Sequence, residues 1–567
     1  MKRLCLLVPL IALLLAACDD TPSPTAAQDA AVTVLDQPKT WLQDDTTIMG
    51  VDQQWHSGAS GEYFMPEIIG GGAALFDADG DDTLDLYIVQ GGKITASGIT
   101  PGANPNVLMT NNGRGIFKIV TSGAEDTGYG MGVATGDIDN DGDVDLYVLN
   151  VGENKLYQND GTGQFADITA ASGAGDKGWG SSGTFLDYDR DGDLDLYVVN
   201  YLSWSPATAL NCIGSGGNPD YCSPGNFMAP SVDRLFRNDG NNTFTDVTVE
   251  SGIVTRPGTG LGIVSVDFDN DGWQDIFVTN DLMRDHLWRN RGDGTFEEIG
   301  LATGCAMDDE GIAKAGMGVD ANDIDDDGDF DIIICNLKGE SDSLFRNDGD
   351  YFVDITAQSG LRTTTRANTR FGVGFVDLNN DGWLDLYEAN GAVLRPNHHV
   401  GGDPYAQRNL LLKGSSSGRF TPTQLRGGVK SGQPLTTRAA VFGDIDQDGR
   451  LDVVVINRDA PVQILRNTTS VISHSITLNI RNRHGAPALG AIIRAKLGNR
   501  TITRPVKSGF SYMAANDPRV HIGLGPHAVL EDVTVQWVNG TTTSFGDLST
   551  AKSPHRLIQP EADDYSQ

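Results

Sequence analysis

Between residues 73 and 457 the chain repeats one arrangement of apolar and polar positions. A short run of small and apolar residues, such as "GGGAALF" or "FGVGFV", gives way to a densely acidic stretch. An apolar run follows, in turn "LYIV", "LYVL", "LYVV", "IFVT", "IIII", "LY" and "VVVI". Short runs rich in β-branched and aromatic residues, bounded by Gly, Asn and Asp, predict strands. After a gap most copies carry "LFRNDG"-type residues and then F-x-D-[IV]-T. Each copy therefore reads as strand, acidic loop, strand, turn, strand, turn, strand, a four-stranded antiparallel unit. One such sheet cannot bury its apolar faces alone, so neighbours must stack. Seven copies predict an all-β chain built on a seven-bladed β-propeller, whose radial closure leaves few exposed edges.

Closure is readable too. F-x-D-x-T is spaced as Phe165, Asp167, Thr169 and Gly173 in one copy, and the seventh copy, ending "ILRNTTS", lacks it. Leu42, Asp44, Thr46 and Gly50 reproduce the offsets upstream of the first copy. Residues 39–50 are thus expected to supply the last strand of the seventh blade, with the propeller over 39–470. Residues 471–560 also read as β: Ile476, Leu478 and Ile480 alternate, as do Val533, Val535 and Trp537, with turns at "GN" and "NG". This segment forms a small C-terminal β-domain, followed by an acidic tail at 561–567.

The acidic stretches share D-x-[DN]-x-D-[GD]-x-x-D and recur 50 to 80 residues apart. Their first, third, fifth and ninth positions are Asp77, Asp79, Asp81 and Asp85; Asp137, Asp139, Asp141 and Asp145; Asp187, Asp189, Asp191 and Asp195; and Asp267, Asp269, Asp271 and Asp275. They continue as Asp323, Asp325, Asp327 and Asp331; Asp377, Asn379, Asp381 and Asp385; and Asp444, Asp446, Asp448 and Asp452. Carboxylates this dense repel one another unless something neutralises them. Calcium takes about six to eight hard oxygen ligands from flexible carboxylates and carbonyls. Alternate Asp residues, a glycine at the sixth position for a sharp turn, a carbonyl at the seventh and Asp at the ninth form such a set. Up to seven calcium ions are expected. Asp82 replaces the glycine in the first loop, and Asn379 brings an uncharged oxygen to the sixth. An EF-hand would need glutamate at the twelfth position, where only Glu388 occurs, and helices where these flanks are β-type. Magnesium's rigid, water-rich octahedron suits all-protein loops less well.

Charge sharpens the picture. The 567 residues carry a formal charge of −35, which argues against a nucleic-acid partner, because phosphate contacts need clustered Lys and Arg. Residues 471–560 depart from this, with ten Lys and Arg against four Asp and Glu. A basic cap docked on an acidic propeller and two domains without contact are both open readings.

The N-terminus has Lys2 and Arg3 before an apolar run from Leu4 to Ala17, too short to span a bilayer and shaped like a signal peptide. "LAAC", Leu15 to Cys18, resembles a bacterial lipobox. That places a lipoprotein-type signal at 1–18, a lipid on Cys18, a linker at 19–38 and the protein in the cell envelope, on the periplasmic face of the inner membrane or on the outer membrane; plain secretion is the alternative. In an oxidising compartment four cysteines remain after Cys5 and Cys18. Cys212 and Cys222, inside one Gly/Pro/Asn-rich loop, are the expected disulfide; pairing of Cys305 with Cys335 is left open.

The D-x-D-x-D-G-x-x-D-L loops, with "GMGV", "LFRNDG" and F-x-D-[IV]-T, resemble FG-GAP/VCBS repeats, the blades of integrin-α-like propellers. "HSITLNI", "ALGAIIRAKL", "RVHIGLG" and "VTVQWVNG", within 474–546, resemble the ASPIC/UnbV domain that follows such repeats in bacterial proteins and in cartilage acidic protein. The last departs from the usual Trp-Pro-Ser-Gly-like turn at Val538 and Asn539. The resemblance implies the propeller, calcium and an adhesion or interaction theme; fold alone does not fix function.

In a propeller the acidic loops share one face. The long insertions at 90–106, 201–233, 301–316 and 391–408 fall on the other, where recognition usually sits. Its sharpest candidates are Asp308, Asp309, Glu310 and Lys314, and His398 with His399. They suit general acid/base work or a second metal, or are ordinary loop residues. "RGD" at Arg291–Asp293 belongs to the turn pattern. No nucleophile elbow, P-loop, dinucleotide fingerprint or zinc HExxH occurs. The expected function is a non-enzymatic, membrane-anchored calcium propeller that binds a protein or glycan. The alternative is a calcium-stabilised lyase or hydrolase acting on carbohydrate from the insertion face.

Overall fold

In the computed structural model, which describes residues 40–214, 216–397, 402–430, 432–469 and 473–561, every acidic loop joins two antiparallel strands. The ninth-position aspartate opens the second strand and faces the end of the first, as in Gly136 against Asp145 and Leu186 against Asp195. The reversal needs left-handed backbone at two positions. The sixth supplies it with glycine, φ 99° at Gly142, and the fourth with Asn140, φ 60°, a residue that tolerates this region. The first loop reaches the same shape differently: Gly80 takes the fourth position and Asp82 the sixth, φ 64°.

Among the described residues seven sheets follow one another along the chain, each with four antiparallel strands, and the first gains a fifth strand from elsewhere. The second is representative: Gly130–Gly136, Asp145–Asn150, Lys155–Asn159 and Phe165–Asp167. The first strands of successive sheets lie side by side, and that of the seventh, Thr437–Gly443, adjoins that of the first, Ala73–Phe76. The ring closes, and the fold is a β-propeller. Leu42–Asp44 is the outermost strand of the seventh sheet, with Leu42 opposite Asn467. The first strands are buried along their length, and sheet packs on sheet through rows such as Leu186, Val199, Ile263, Ile276 and Trp288.

The C-terminal segment builds two further sheets. His474–Arg481 lies between Val520–Gly525 and the parallel strand His555–Ile558. Arg500–Pro505, Ile492–Leu497, Val529–Gln536 and Thr542–Ser549 form the other. Ile476, Leu478, Ile480, Val533, Val535 and Trp537 fill the space between them.

These two sheets are not a separate body. Residues 506–517 leave them and enter the propeller's centre, where Ala514–Ala515 adds a short parallel strand to the first sheet beside Ala73 and Ala74. Ser511 exchanges two backbone hydrogen bonds with Val319 of the fifth sheet and donates its hydroxyl to the Ala440 carbonyl of the seventh. Met513 N–H donates to Ser182 of the third, and the Tyr512 hydroxyl reaches the Ile69 carbonyl. The small residues ahead of each acidic loop make room for this plug. A Cβ on Gly72 would sit 2.3 Å from the Met513 carbonyl oxygen, and one on Gly318 3.1 Å from that of Ser511.

Candidate metal centre

The second loop shows how the carboxylates are held. Asp137 accepts from the Asp141 and Gly142 N–H groups at 3.3 and 3.0 Å, and Asp141 accepts from Asp143 N–H at 3.0 Å. Asp145 has both oxygens engaged: one accepts from Ile138 N–H at 2.9 Å, the other from Asn159 N–H at 2.7 Å. The same two bonds recur at Asp85, Asp195, Asp275, Asp331, Asp385 and Asp452. The ninth aspartate is thus a brace between the acidic loop and the third strand, whatever else it binds.

The first and third aspartates are held differently. Oxygens of Asp77, Asp79 and Asp85 lie within 4.8 Å of one another, as do those of Asp137, Asp139 and Asp145, of Asp187, Asp189 and Asp195, and of Asp323, Asp325 and Asp331. In the fourth loop the group is Asp267, Asp269 and Asp271. One buried oxygen of Asp79, Asp139, Asp187, Asp267, Asp323 and Asp446 has no hydrogen-bond partner. A buried acceptor left unpaired costs about 1–3 kcal/mol, and more when charged, so the same defect in six loops points to a missing partner that is a cation. The sixth loop has no such oxygen among its described acids; there Asn379 accepts from Asp381 N–H at 2.9 Å. Burial pushes Asp137 up to about 7, and Asp141 and Asp139 add to the push. Asp187, Asp267 and Asp444 rise to the same level for the same two reasons. Burial and crowding of this kind disfavour the ionised carboxylates, and a divalent cation would offset both. The donor set, all carboxylate, amide and backbone oxygen, fits calcium.

A second set of residues, which the repeat reading passed over, binds neighbouring loops together. The asparagine that ends the third strand of a blade donates from Nδ2 to the carbonyl at the second position of the preceding blade's acidic loop. The pairs are Asn159 to Ala78, Asn238 to Ile138, Asn290 to Tyr188, Asn347 to Phe268 and Asn467 to Leu378, at 2.8–2.9 Å. Asn111 closes the circle by reaching Ile445 at 2.9 Å. The sixth sheet has Gly414 at this place and makes no such bond. The signal in the sequence is the asparagine itself, which recurs at the end of the third strand in six of the seven copies.

The basic C-terminal domain docks on this same face. Arg500 pairs with Asp326 and donates to the Gly382 carbonyl, its guanidinium 3.4 Å from the Trp383 ring centre. Arg504 donates to the Asp323 carbonyl at 3.0 Å, and Ser475 donates to that of Gly449 at 2.6 Å. Lys507 forms a buried ion pair with Asp320 on the channel wall. The interdomain contact is therefore basic cap on acidic rim.

The insertion face is roofed over. Loop residues Asp220, Arg395 and Tyr405 meet: Asp220 accepts from the Tyr405 hydroxyl and from Arg395 N–H, both at 2.8 Å. Beneath them Phe64, Met65, Tyr129, Trp179 and Tyr201 pack with Tyr512 and Met513 of the plug. Arg438 is buried and donates to the Ile68, Gly391 and Ala392 carbonyls. Asp308 lies 3.6 Å from Lys314, and Asp309 pairs with Arg362, so these acids line a small charged hollow of about 180 Å³ with Glu310 and Glu340. His398 and His399 fall outside the described residues, as do Cys18, the 1–18 signal and the 19–38 linker. Asp293 of "RGD" accepts from Thr295 within its turn. Cys212 and Cys222 are joined; Cys305 and Cys335 are free and buried. Glu388 is buried beside Asp342, which pairs with Arg370, far from any ligand role in its loop.

Comparison with known proteins agrees with this geometry. A family described as FG-GAP-like repeat matches residues 137–198, 217–278, 267–334 and 323–388, and one described as ASPIC and UnbV matches 481–563. Cartilage acidic protein 1 of Homo sapiens is 26% identical over 340 residues, covering 56% of this chain and 46% of the relative. That of Xenopus tropicalis is 26% identical over 309 residues, covering 52% and 44%. The chain thus spans about half the length of the curated relatives it matches. Among solved structures, an Agrocybe aegerita lectin described as recognising non-reducing terminal N-acetylglucosamine aligns with a TM-score of 0.38 and 16% identity, over 64% of this chain and 88% of the lectin.

Proposed function

On the premise that this chain is an FG-GAP repeat protein with an ASPIC and UnbV domain, we propose that it is a calcium-loaded, extracytoplasmic interaction module, lipid-anchored through Cys18, that binds a protein or glycan partner. The observation that carries the cation is the recurring buried carboxylate oxygen without a partner. The first, third and fifth side chains of each loop would hold the ion, with the ninth in reach. A bound ion would cancel the mutual repulsion of the loop and fix it as a rigid platform. The chain's own residues do the rest: the ninth aspartates tie each loop to its sheet, and the third-strand asparagines tie every loop but the fifth to the next blade.

The filled channel supports binding over catalysis in a central pocket, because Ser511, Tyr512 and Met513 occupy the place such a pocket would need.

Calcium titration of the chelator-treated chain, with thermal unfolding before and after, tests the reading. Several ions per chain and a higher Tm in calcium are expected, each saturated site adding about 2.7 kcal/mol at a hundredfold excess over Kd. No bound calcium and an unchanged Tm would overturn it. The anchor is tested by fractionation: Cys18→Ser is expected to move the protein from membrane to soluble fraction, and an unmoved distribution removes the lipid from the proposal.

A further inference from the structure

Between the docked C-terminal domain and the first two acidic loops lies a cleft of about 320 Å³. Three arginines of the C-terminal domain face it. Arg519 has Nε on Asp517 at 2.9 Å and Nη1 on the Asp82 carbonyl at 3.3 Å, while its buried Nη2 has no partner. Arg481 donates to Asn479 and to the Gly485 carbonyl, both at 2.8 Å, and its third nitrogen stands 3.5 Å from the exposed Asp82 carboxylate. Arg556, opposite Asn479 across the strand pair, is exposed. Three guanidiniums sharing one hollow repel one another, and Arg556 and Arg519 add to the burial that pushes Arg481 down. The carboxylates of Asp77, Asp82, Asp137, Asp141 and Asp143 line the same hollow, so an anion is recognised by Arg519 Nη2, the guanidinium nitrogen left without a partner.

Of the apolar side chains bordering the cleft, Phe76, Leu84, Val144 and Leu489 are less than a tenth exposed, while Pro487 and Pro518 are half-buried. It offers a ligand guanidinium and amide donors beside the carboxylates of Asp82 and Asp143, with apolar surface at Pro487 and Pro518 between them. A second cleft of about 170 Å³ continues along the rim past His484, Pro487 and Leu489, which border both. The space suits an extended ligand of several units rich in hydroxyls.

We propose that this interdomain groove binds an anionic oligosaccharide, with a carboxylate or sulfate of the sugar held by Arg519, Arg481 and Arg556 and its hydroxyls held by Asp82, Asp143 and Asn479. It rests on the cation reading above, since ions in the first two loops offset the charge of Asp77, Asp137 and Asp141 on the opposite wall.

Calorimetric titration of the calcium-saturated full chain, its calcium content measured beforehand, tests the site. The probes are an oligogalacturonate, a sulfated oligosaccharide, a neutral cello-oligosaccharide and an oligoglutamate peptide. Binding of one or both anionic sugars is expected and tells carboxylate from sulfate. Arg556→Gln, at an exposed residue whose loss spares the fold, is expected to weaken it about tenfold; Arg519→Gln, more. Equal binding of the neutral sugar, binding of the peptide alone, or affinity indifferent to Arg556→Gln would overturn the proposal. Calcium bound without sugar binding defeats the groove alone; sugar bound by a chain that takes no calcium defeats the metal reading alone.

Discussion

Within one acidic loop the aspartates divide by what their oxygens touch. Asp139 leaves one buried oxygen without a partner and gives the other to Gln158, so its cost is recovered only when a cation is present. Asp145 satisfies two buried N–H groups of other residues, and its removal strands both. The two positions are therefore expected to respond differently to substitution. Asp139→Asn is expected to unfold like the parent in chelator and at a lower Tm than the parent in calcium. Asp145→Ala is expected to lose about 2–6 kcal/mol in either condition, at about 1–3 kcal/mol for each N–H left unpaired. Denaturant unfolding of both variants, with and without calcium, checks this; equal losses in the two conditions for Asp139→Asn would remove the metal from that position.

At the scale of the element, a blade is joined to its neighbour by more than apolar packing. Asn159 donates to Ala78 in the loop of the first blade and to Val144 in its own, so one amide fixes the spacing of two acidic loops. Asn159→Ala leaves two buried carbonyls unpaired and is expected to cost about 2–4 kcal/mol, with faster hydrogen exchange in loops 77–85 and 137–145 together. Exchange confined to the second loop would show that the bond does not couple blades. The sixth blade cannot be repaired by the same residue: a Cβ on Gly414 would lie 1.9 Å from the Leu384 carbonyl oxygen.

For the whole molecule, the plug decides how domains and ring depend on each other. Lys507 and Asp320 are buried together, and taking away one charge leaves the other uncompensated, at about 3–5 kcal/mol. Lys507→Ala is expected to loosen the C-terminal domain, seen as proteolytic cleavage near 470–506 ahead of the propeller's own unfolding. Asp320→Asn added to it should recover part of the loss, because no charge is then stranded. A single unchanged transition in Lys507→Ala would mean that the plug is held by Ser511, Tyr512 and Met513 without the ion pair.

The repeat, the β-propeller class and the disulfide between Cys212 and Cys222 were set by the sequence alone, because each rests on spacing within a local stretch: alternate acids and a turn glycine, short β-type runs, two cysteines in one loop. The basic C-terminal segment was legible as charge, yet its position was not, since a net charge names no partner surface. Tertiary structure alone decided that residues 506–517 fill the channel. Their place depends on backbone approach between chain positions hundreds of residues apart, such as Ser511 with Val319 and Met513 against Gly72. The asparagine bridges and the arginine-lined groove have the same origin: each joins groups from different blades or domains, and no periodicity along the chain records which of them will meet.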